Sequence, residues 1–262
     1  MAKNRVEMDR RAFIIKSSTF FVGSILLPGS FTKAFASNNP FDQPRIALII
    51  DDIGFSRCQL NRFLEIGIPM TFAILPRLSK SHVLAEEIHT QGHEIMLHQP
   101  MEPFNPRLDP GPGAIFVGDD PDKIVSIIGE NISDIPFGTG INNHMGSKFT
   151  SCQKEMREAL IAIKTRGLFF IDSLTTNRST AYTTAKRLHI ATACRNIFLD
   201  NKREESVILS QLNKLKTLAM YSGYAIGIGH PYPETAKAIN SFQGDLKASD
   251  ISLVHISRLI HN

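Results

Sequence analysis

The chain has 262 residues, 42% hydrophobic and 21% charged, a composition that supports one sizeable core and excludes a disordered chain, a collagen and a coiled coil. Three Cys and no Trp exclude a disulfide-rich scaffold. The net charge of +4 belongs to residues 1–36, where Lys3, Arg5, Arg10, Arg11, Lys16 and Lys33 are opposed only by Glu7 and Asp9; the remainder balances to zero and lacks the basic excess of a nucleic-acid-binding surface.

The first segment reads as an address rather than as part of the fold. Arg10-Arg11-Ala12-Phe13-Ile14 opens an apolar run over 12–28, and Ala34-Phe35-Ala36 follows as a small-x-small cleavage pattern. A charged start, a short apolar run and an A-x-A site in that order make a secretory signal, and the Arg pair before x-Phe-Ile looks like a twin-arginine one. An amphipathic first helix is the competing reading and a retained anchor a second. The run is short for a span of about 20 residues, which favours cleavage. The expected organisation is a signal at 1–36, a linker at 37–43 and one domain at 44–262, periplasmic or otherwise extracytoplasmic, with no stable membrane span after signal removal.

Along the rest of the chain, strands alternate with helical stretches. Expected strands are Arg45–Ile50, Met70–Leu75, His93–His98, Gly140–Asn143 and Leu168–Asp172, with others near Ile197–Leu199, Ala225–Gly229 and Ser252–Ile256. Several are short apolar runs without alternation, as parallel strands covered on both faces require. Expected helices are Arg57–Ile66, Ser81–Gln91, Pro121–Ser133, Ser151–Arg166, Arg203–Ser222 and Glu234–Asn240. Asp120 before Pro121 supplies a helix start, and Gly92, Gly167 and Gly223 sit where helices stop. Seven or eight such units predict a closed or nearly closed β/α barrel, with a doubly wound open sheet as runner-up. Between 99 and 119, five Pro and three Gly predict a long, functional loop after the third strand.

The chemistry gathers at the strand ends. Apolar strands run into Asp51-Asp52, His98, His144, Asp172-Ser173 and His230. In parallel β/α folds that C-terminal edge is where sites are assembled from several strands, and five ends in Asp or His point to a metal or acid–base site. His93 and His98 are five apart and face opposite sides of a regular strand, so His93, at the strand entrance, is assigned a structural role. Asp51 and Asp52 converge only where the strand gives way to a turn, which Gly54 permits. His82, His89, His189, His255 and His261 fall on helical or terminal segments and read as exposed or satisfied. Cys152 and Cys194 could pair in an oxidising compartment, but isolated thiols are the simpler reading.

These blocks in their order, IIDDIGF, GHEIMLHQPMEP, GINNHMGSKFT, LFFIDS and AIGIGHPYPET, closely resemble the divergent polysaccharide deacetylase family, related to the polysaccharide deacetylases of the carbohydrate esterases. The resemblance runs from about Pro44 to the C-terminal region. It implies a distorted (β/α)7–8 barrel with a shallow metal site at the strand C-termini. It also implies Asp51 as base, Asp52 and His98 as metal ligands and His230 as general acid. The second position of the parent His-x3-His motif falls on Glu102, and the parent Arg-bearing motif is replaced by GINNHMGS. The third ligand is therefore open between His144, a strand-end imidazole, and Glu102, which could instead orient a ligand.

The expected activity is metal-assisted hydrolysis of an N- or O-acetyl group on an envelope polysaccharide. The expected cofactor is a divalent ion, Zn²⁺ in a mixed N/O site, and Asp172 is expected to orient His230 or another imidazole. A periplasmic glycan-binding or envelope-assembly protein with little turnover is the rival, and a metal-dependent phosphatase is less favoured because no Arg/Lys cluster marks the strand ends. No phosphate-binding glycine motif occurs, so no nucleotide is expected.

Overall fold

A computed structural model describes residues 43–246 and 249–260. The segment expected to be a signal, and nearly all of the expected linker, lie outside the described residues.

Among the described residues nine strands and seven helices follow one another, alternating except where β6 runs into β7. They are β1 (Arg45–Ile53), α1 (Arg57–Leu64), β2 (Thr71–Ile74), α2 (Ser81–Thr90), β3 (Glu94–Met101), α3 (Pro121–Asp134), β4 (Gly138–Met145) and α4 (Gln153–Lys164). They continue as β5 (Phe169–Asp172), α5 (Ala181–Arg187), β6 (Thr192–Cys194), β7 (Ile197–Phe198), α6 (Glu205–Ser222), β8 (Tyr224–Gly229), α7 (Pro233–Leu246) and β9 (Ser252–Val254). Helix boundaries follow local chemistry. Ser56 and Asp120 accept the amides of Gln59 and Lys123 to start α1 and α3, and Gly223 ends α6 in the left-handed conformation at φ 81°.

The strands hydrogen-bond in the order β6-β5-β4-β3-β2-β1-β8-β7, all parallel. β9 pairs with the first residues of β1, on the stretch that precedes its pairing with β2. Laid flat, eight strands would separate β6 from β7 by about 34 Å. Only Arg195 and Asn196 join the two, a link of at most ~11 Å. The sheet therefore curls, and this single-domain barrel of the deacetylase type is the architecture expected from the sequence. The one segment that carries β6 and β7 closes it, where a ladder would in a regular barrel.

Strand parity divides the core in two. Ile46, Leu48 and Ile50 of β1, with Ile95, Leu97, Ile141 and Phe170, pack outward under the helices. Ala47, Ile49, Ala73, Met96, Phe169, Ile171, Ile226 and Ile228 fill the interior, which Ile256 and Leu259 also join. Gly140 keeps the interior register because a Cβ there would lie 2.1 Å from the Phe169 ring. Carrying the interior parity upward gives Asp51, His98, Asn142, His144, Ser173 and His230. The strand phase that builds the apolar interior thus also selects the polar ring above it.

α5 and β6 are absent from the sequence reading. A seven-residue helix containing two Thr and a three-residue strand carry too little periodicity to register. The proline-rich stretch is anchored rather than free. Ile115 bridges Met101 and is fully buried, while the Gln99 and Asn131 side-chain amides donate to the carbonyl of Gly113. Cys58, Cys152 and Cys194 are free thiols, so no Cys152–Cys194 pair forms in this structure.

Candidate active site

The site begins with a backbone deviation. Asp51 follows Ala47 and Ile49 into the interior, but Asp52 would point outward on a regular strand. It adopts φ 57°, and the β1–β2 register shifts between Ile50 and Ile53. This left-handed residue, uncommon outside Gly, swings Asp52 over the strand end beside Asp51. The turn expected at Gly54 thus starts two residues earlier, at the functional residue itself.

Three ligand atoms converge there. Asp52 Oδ1 lies 2.9 Å from His144 Nδ1 and 3.2 Å from His98 Nε2, and the two imidazole nitrogens are 3.1 Å apart. Asp52, His98 and His144 form the one group among the described residues whose ligand atoms are placed to hold a metal ion. Asp52 Oδ1 is buried without a hydrogen-bond partner despite those two neighbours. Tetrahedral zinc with bonds of about 2.0–2.1 Å sets its ligand atoms about 3.3 Å apart. The donor set therefore fits a small divalent ion in size and in kind.

Asn142 fixes the protonation pattern. Its Nδ2 donates to Asp51 Oδ1 at 2.8 Å, so its Oδ1, 2.7 Å from His98 Nδ1, accepts. His98 then carries a proton on Nδ1, so Nε2, which faces Asp52 and His144, is the nitrogen left to ligate an ion. Asn143 braces the next layer by accepting the Ser173 amide. Neither Asn is among the sequence candidates; their signal was a pair of amides ending an otherwise apolar strand.

His230 enters from β8, with Nε2 4.0 Å from Asp52 Oδ2. Its Nδ1 lies 2.8 Å from Asp200 Oδ1, and Asp200 Oδ2 accepts the His230 amide and the Thr235 hydroxyl. Asp200 therefore holds the ring, which corrects the assignment of Asp172 to that task. Phe169 and Ile171 face the interior, so Asp172 faces outward. There it accepts the amides of Leu174 and Tyr182 and the Ser179 hydroxyl, a local brace for the start of α5. Glu102 is likewise committed elsewhere. Its Oε2 accepts the Val117 amide and its Oε1 pairs with Lys148 Nζ at 2.7 Å, tying the long loop to the end of β4.

The electrostatics follow from burial and proximity. Burial raises the Asp51 carboxyl, with the Asp52 charge adding to it, against the opposing His98 and His230. Burial also works against ionised Asp52, but His144 and His98 outweigh it and hold that carboxyl well below the usual range. Burial would lower His230, yet the Asp200 hydrogen bond and charge, aided by Asp51 and Asp52, push it up to about 9. His93 stands apart at the strand entrance, edge-on to Phe72, and burial lowers its pKa.

The model of the divergent polysaccharide deacetylase family matches residues 48–260. The chain belongs to that family. Within reach of this family, the uncharacterized protein YibQ of Escherichia coli (strain K12) is 31% identical over 238 residues, covering 88% of this chain and 72% of YibQ. The crystal structure of the uncharacterized protein ATU2773 from Agrobacterium tumefaciens C58 matches with a TM-score of 0.79 at 25% identity, covering 88% of this chain and 92% of that one. A CE4 family pseudoenzyme from Bacillus anthracis, BA3943, shares the fold with a TM-score of 0.50 at 18% identity, covering 83% of this chain and 66% of that one. A deacetylase-type barrel thus also occurs in a pseudoenzyme, and activity must be argued from the site. No helix among the described residues is long and apolar enough to cross a membrane.

Proposed function

We propose that this deacetylase-family chain is a metal-dependent hydrolase that removes acyl groups, N- or O-acetyl first among them, from an envelope polysaccharide. The observation that carries the reading is the convergence of Asp52 Oδ1, His98 Nε2 and His144 Nδ1, with Asp52 Oδ1 otherwise unpartnered and the ligating nitrogen of His98 set by Asn142. These three residues would hold a divalent ion, for which the mixed N/O donor set suits Zn²⁺. Such an ion supplies Lewis-acid polarisation of the scissile carbonyl and acidifies a neighbouring water.

The chain's own groups do the rest. Asp51, buried and hydrogen-bonded to Asn142, accepts the proton of the attacking water. Its raised pKa suits a base that must take a proton and release it again. His230, protonated at neutral pH and oriented by Asp200, donates from Nε2 to the departing amine or alkoxide. Export places the chain with its substrate outside the cytoplasm; replacing Arg10 and Arg11 by Lys should trap uncleaved precursor, and normal processing of that variant would refute the twin-arginine route.

The decisive assay measures acetate released from acetylated envelope glycans by zinc-loaded and chelator-stripped protein. Release confined to the loaded form supports the hydrolase. Stoichiometric glycan binding without release from any substrate would instead favour a binding protein that retains the barrel.

A further inference from the structure

We propose that the acyl side of this site accepts, beside acetyl, a longer chain: a straight aliphatic acyl group of about four to eight carbons. The inference rests on the hydrolase reading for the direction in which the substrate lies. A cavity of about 300 Å³ opens beside Asp52 and His144, walled by Phe55, Leu75, Leu78, Pro100, Pro112 and Met145. It belongs to the ends of β1 to β4. His230, the acid that meets the leaving group, comes from β8 on the other side of β1. A carbonyl at the triad with its leaving group toward His230 therefore directs its acyl substituent toward this cavity.

Size and lining select the occupant. At about 30 Å³ for a water-sized group, the cavity has room for roughly ten heavy atoms, where the methyl of an acetyl needs one. A sugar ring would also fit by volume but would bring several hydroxyls against the apolar side chains of those six wall residues. The polar residues bordering the cavity are Asp52, His144 and Asp109. The first two belong to the triad, and Asp109 Oδ1 accepts the Gly111 amide, so beyond the triad Asp109 Oδ2 is the side-chain acceptor the lining offers. An aliphatic chain leaves no polar group unpaired. Phe55, at the lip, is 60% exposed, an apolar ring that such a chain would cover.

The test titrates the purified protein, with and without added Zn²⁺, with acetate, butanoate, hexanoate and octanoate by calorimetry. Affinity should rise by up to about fourfold per methylene, the equivalent of ~0.8 kcal/mol per buried CH₂, and level off near eight carbons. Phe55→Ser, at an exposed position, should reduce that slope, and Leu78→Trp should shift the plateau to shorter chains. A flat series in both metal states would overturn the proposal, as would a slope that neither variant alters. A slope that persists in a protein that neither binds zinc nor releases acyl groups would uphold the pocket and defeat the hydrolase reading. Acetate release with a flat series would do the reverse.

Discussion

The two ends of the barrel solve the same problem, polar side chains above and below an apolar core, in opposite ways. At the N-terminal end, buried Glu94 accepts the Thr71 hydroxyl at 2.9 Å, the Ser257 amide at 3.2 Å and the Thr139 hydroxyl at 3.3 Å. Thr71 Oγ1 in turn accepts the Ile256 amide, so a short 3₁₀ turn at Ile256–Arg258 stoppers the barrel. At the C-terminal end, one carboxylate oxygen and two imidazole nitrogens crowd within 2.9–3.2 Å of one another. Backbone strain is distributed the same way. Of the six non-glycine residues with positive φ among the described residues, Asp52, Arg77, Met145 and Leu174 lie at the C-terminal ends of strands or just beyond them. Such conformations cost about 1–3 kcal/mol each and persist where the surroundings impose them. One end is braced by hydrogen bonds and the other gathers the atoms of a candidate metal site.

The sharpest break of that contrast is the removal of a ligand. His98→Ala and Asp52→Ala should each abolish stoichiometric binding of a divalent ion, measured by elemental analysis after dialysis. Asp52→Ala should also lower the melting temperature of the metal-free protein at neutral pH, because the carboxylate that His144 and His98 hold ionised is lost, with part of the loss offset as Asp51 is freed of a like charge. Next in size is Asp51→Asn, which preserves shape but cannot take a proton. At equal metal occupancy it should lower acyl release by about 10²–10⁴-fold. Equal turnover would remove Asp51 from the mechanism.

Asp200→Asn tests the acid. In the metal-free protein, the His230 imidazole should titrate near 9 by NMR, and the variant should bring it down toward or below its ordinary 6.5 as burial is left less opposed. The sign carries over to stability. A raised folded-state pKa means that protonated His230 stabilises the fold fully below about pH 6.5. That contribution is lost as pH rises through about 9, so Asp200→Asn should flatten the pH dependence of melting across this window. The smallest effect belongs to the other end of the barrel. Thr71→Val removes one hydrogen bond to Glu94 and one from Ile256, and should cost about 1–3 kcal/mol of stability with unchanged metal affinity.

The same contrast explains what the sequence could and could not reveal. The barrel was legible because parallel strands buried on both faces write unbroken apolar runs, and the polar residue ending each run marks the functional edge. Which face that residue takes was less legible. Asp172 ends LFFID as plausibly as His230 ends AIGIG, but Phe169 and Ile171 hold the interior and turn Asp172 outward. Asp200 follows the expected Ile197–Leu199 strand by the same rule and was as legible as His230, yet it is not among the sequence candidates. Glu102 matched a ligand position by spacing, yet the Val117 amide and the Lys148 ammonium claim it, contacts that depend on the fold of the long loop. The left-handed turn at Asp52 has no local signature, since Gly54 offers the easier site; the tertiary fold decides it.

The central claim is that Asp52, His98 and His144 form a three-residue metal centre with the proton of His98 on Nδ1. A high-resolution crystal structure of the zinc-loaded protein, with the ion located by its anomalous scattering at the zinc edge, tests it directly. The account predicts one ion ligated by Asp52, His98 Nε2 and His144 Nδ1, with Asn142 still bridging His98 and Asp51. An ion ligated by Glu102 in place of His144, or none at the β1, β3 and β4 strand ends, would contradict it.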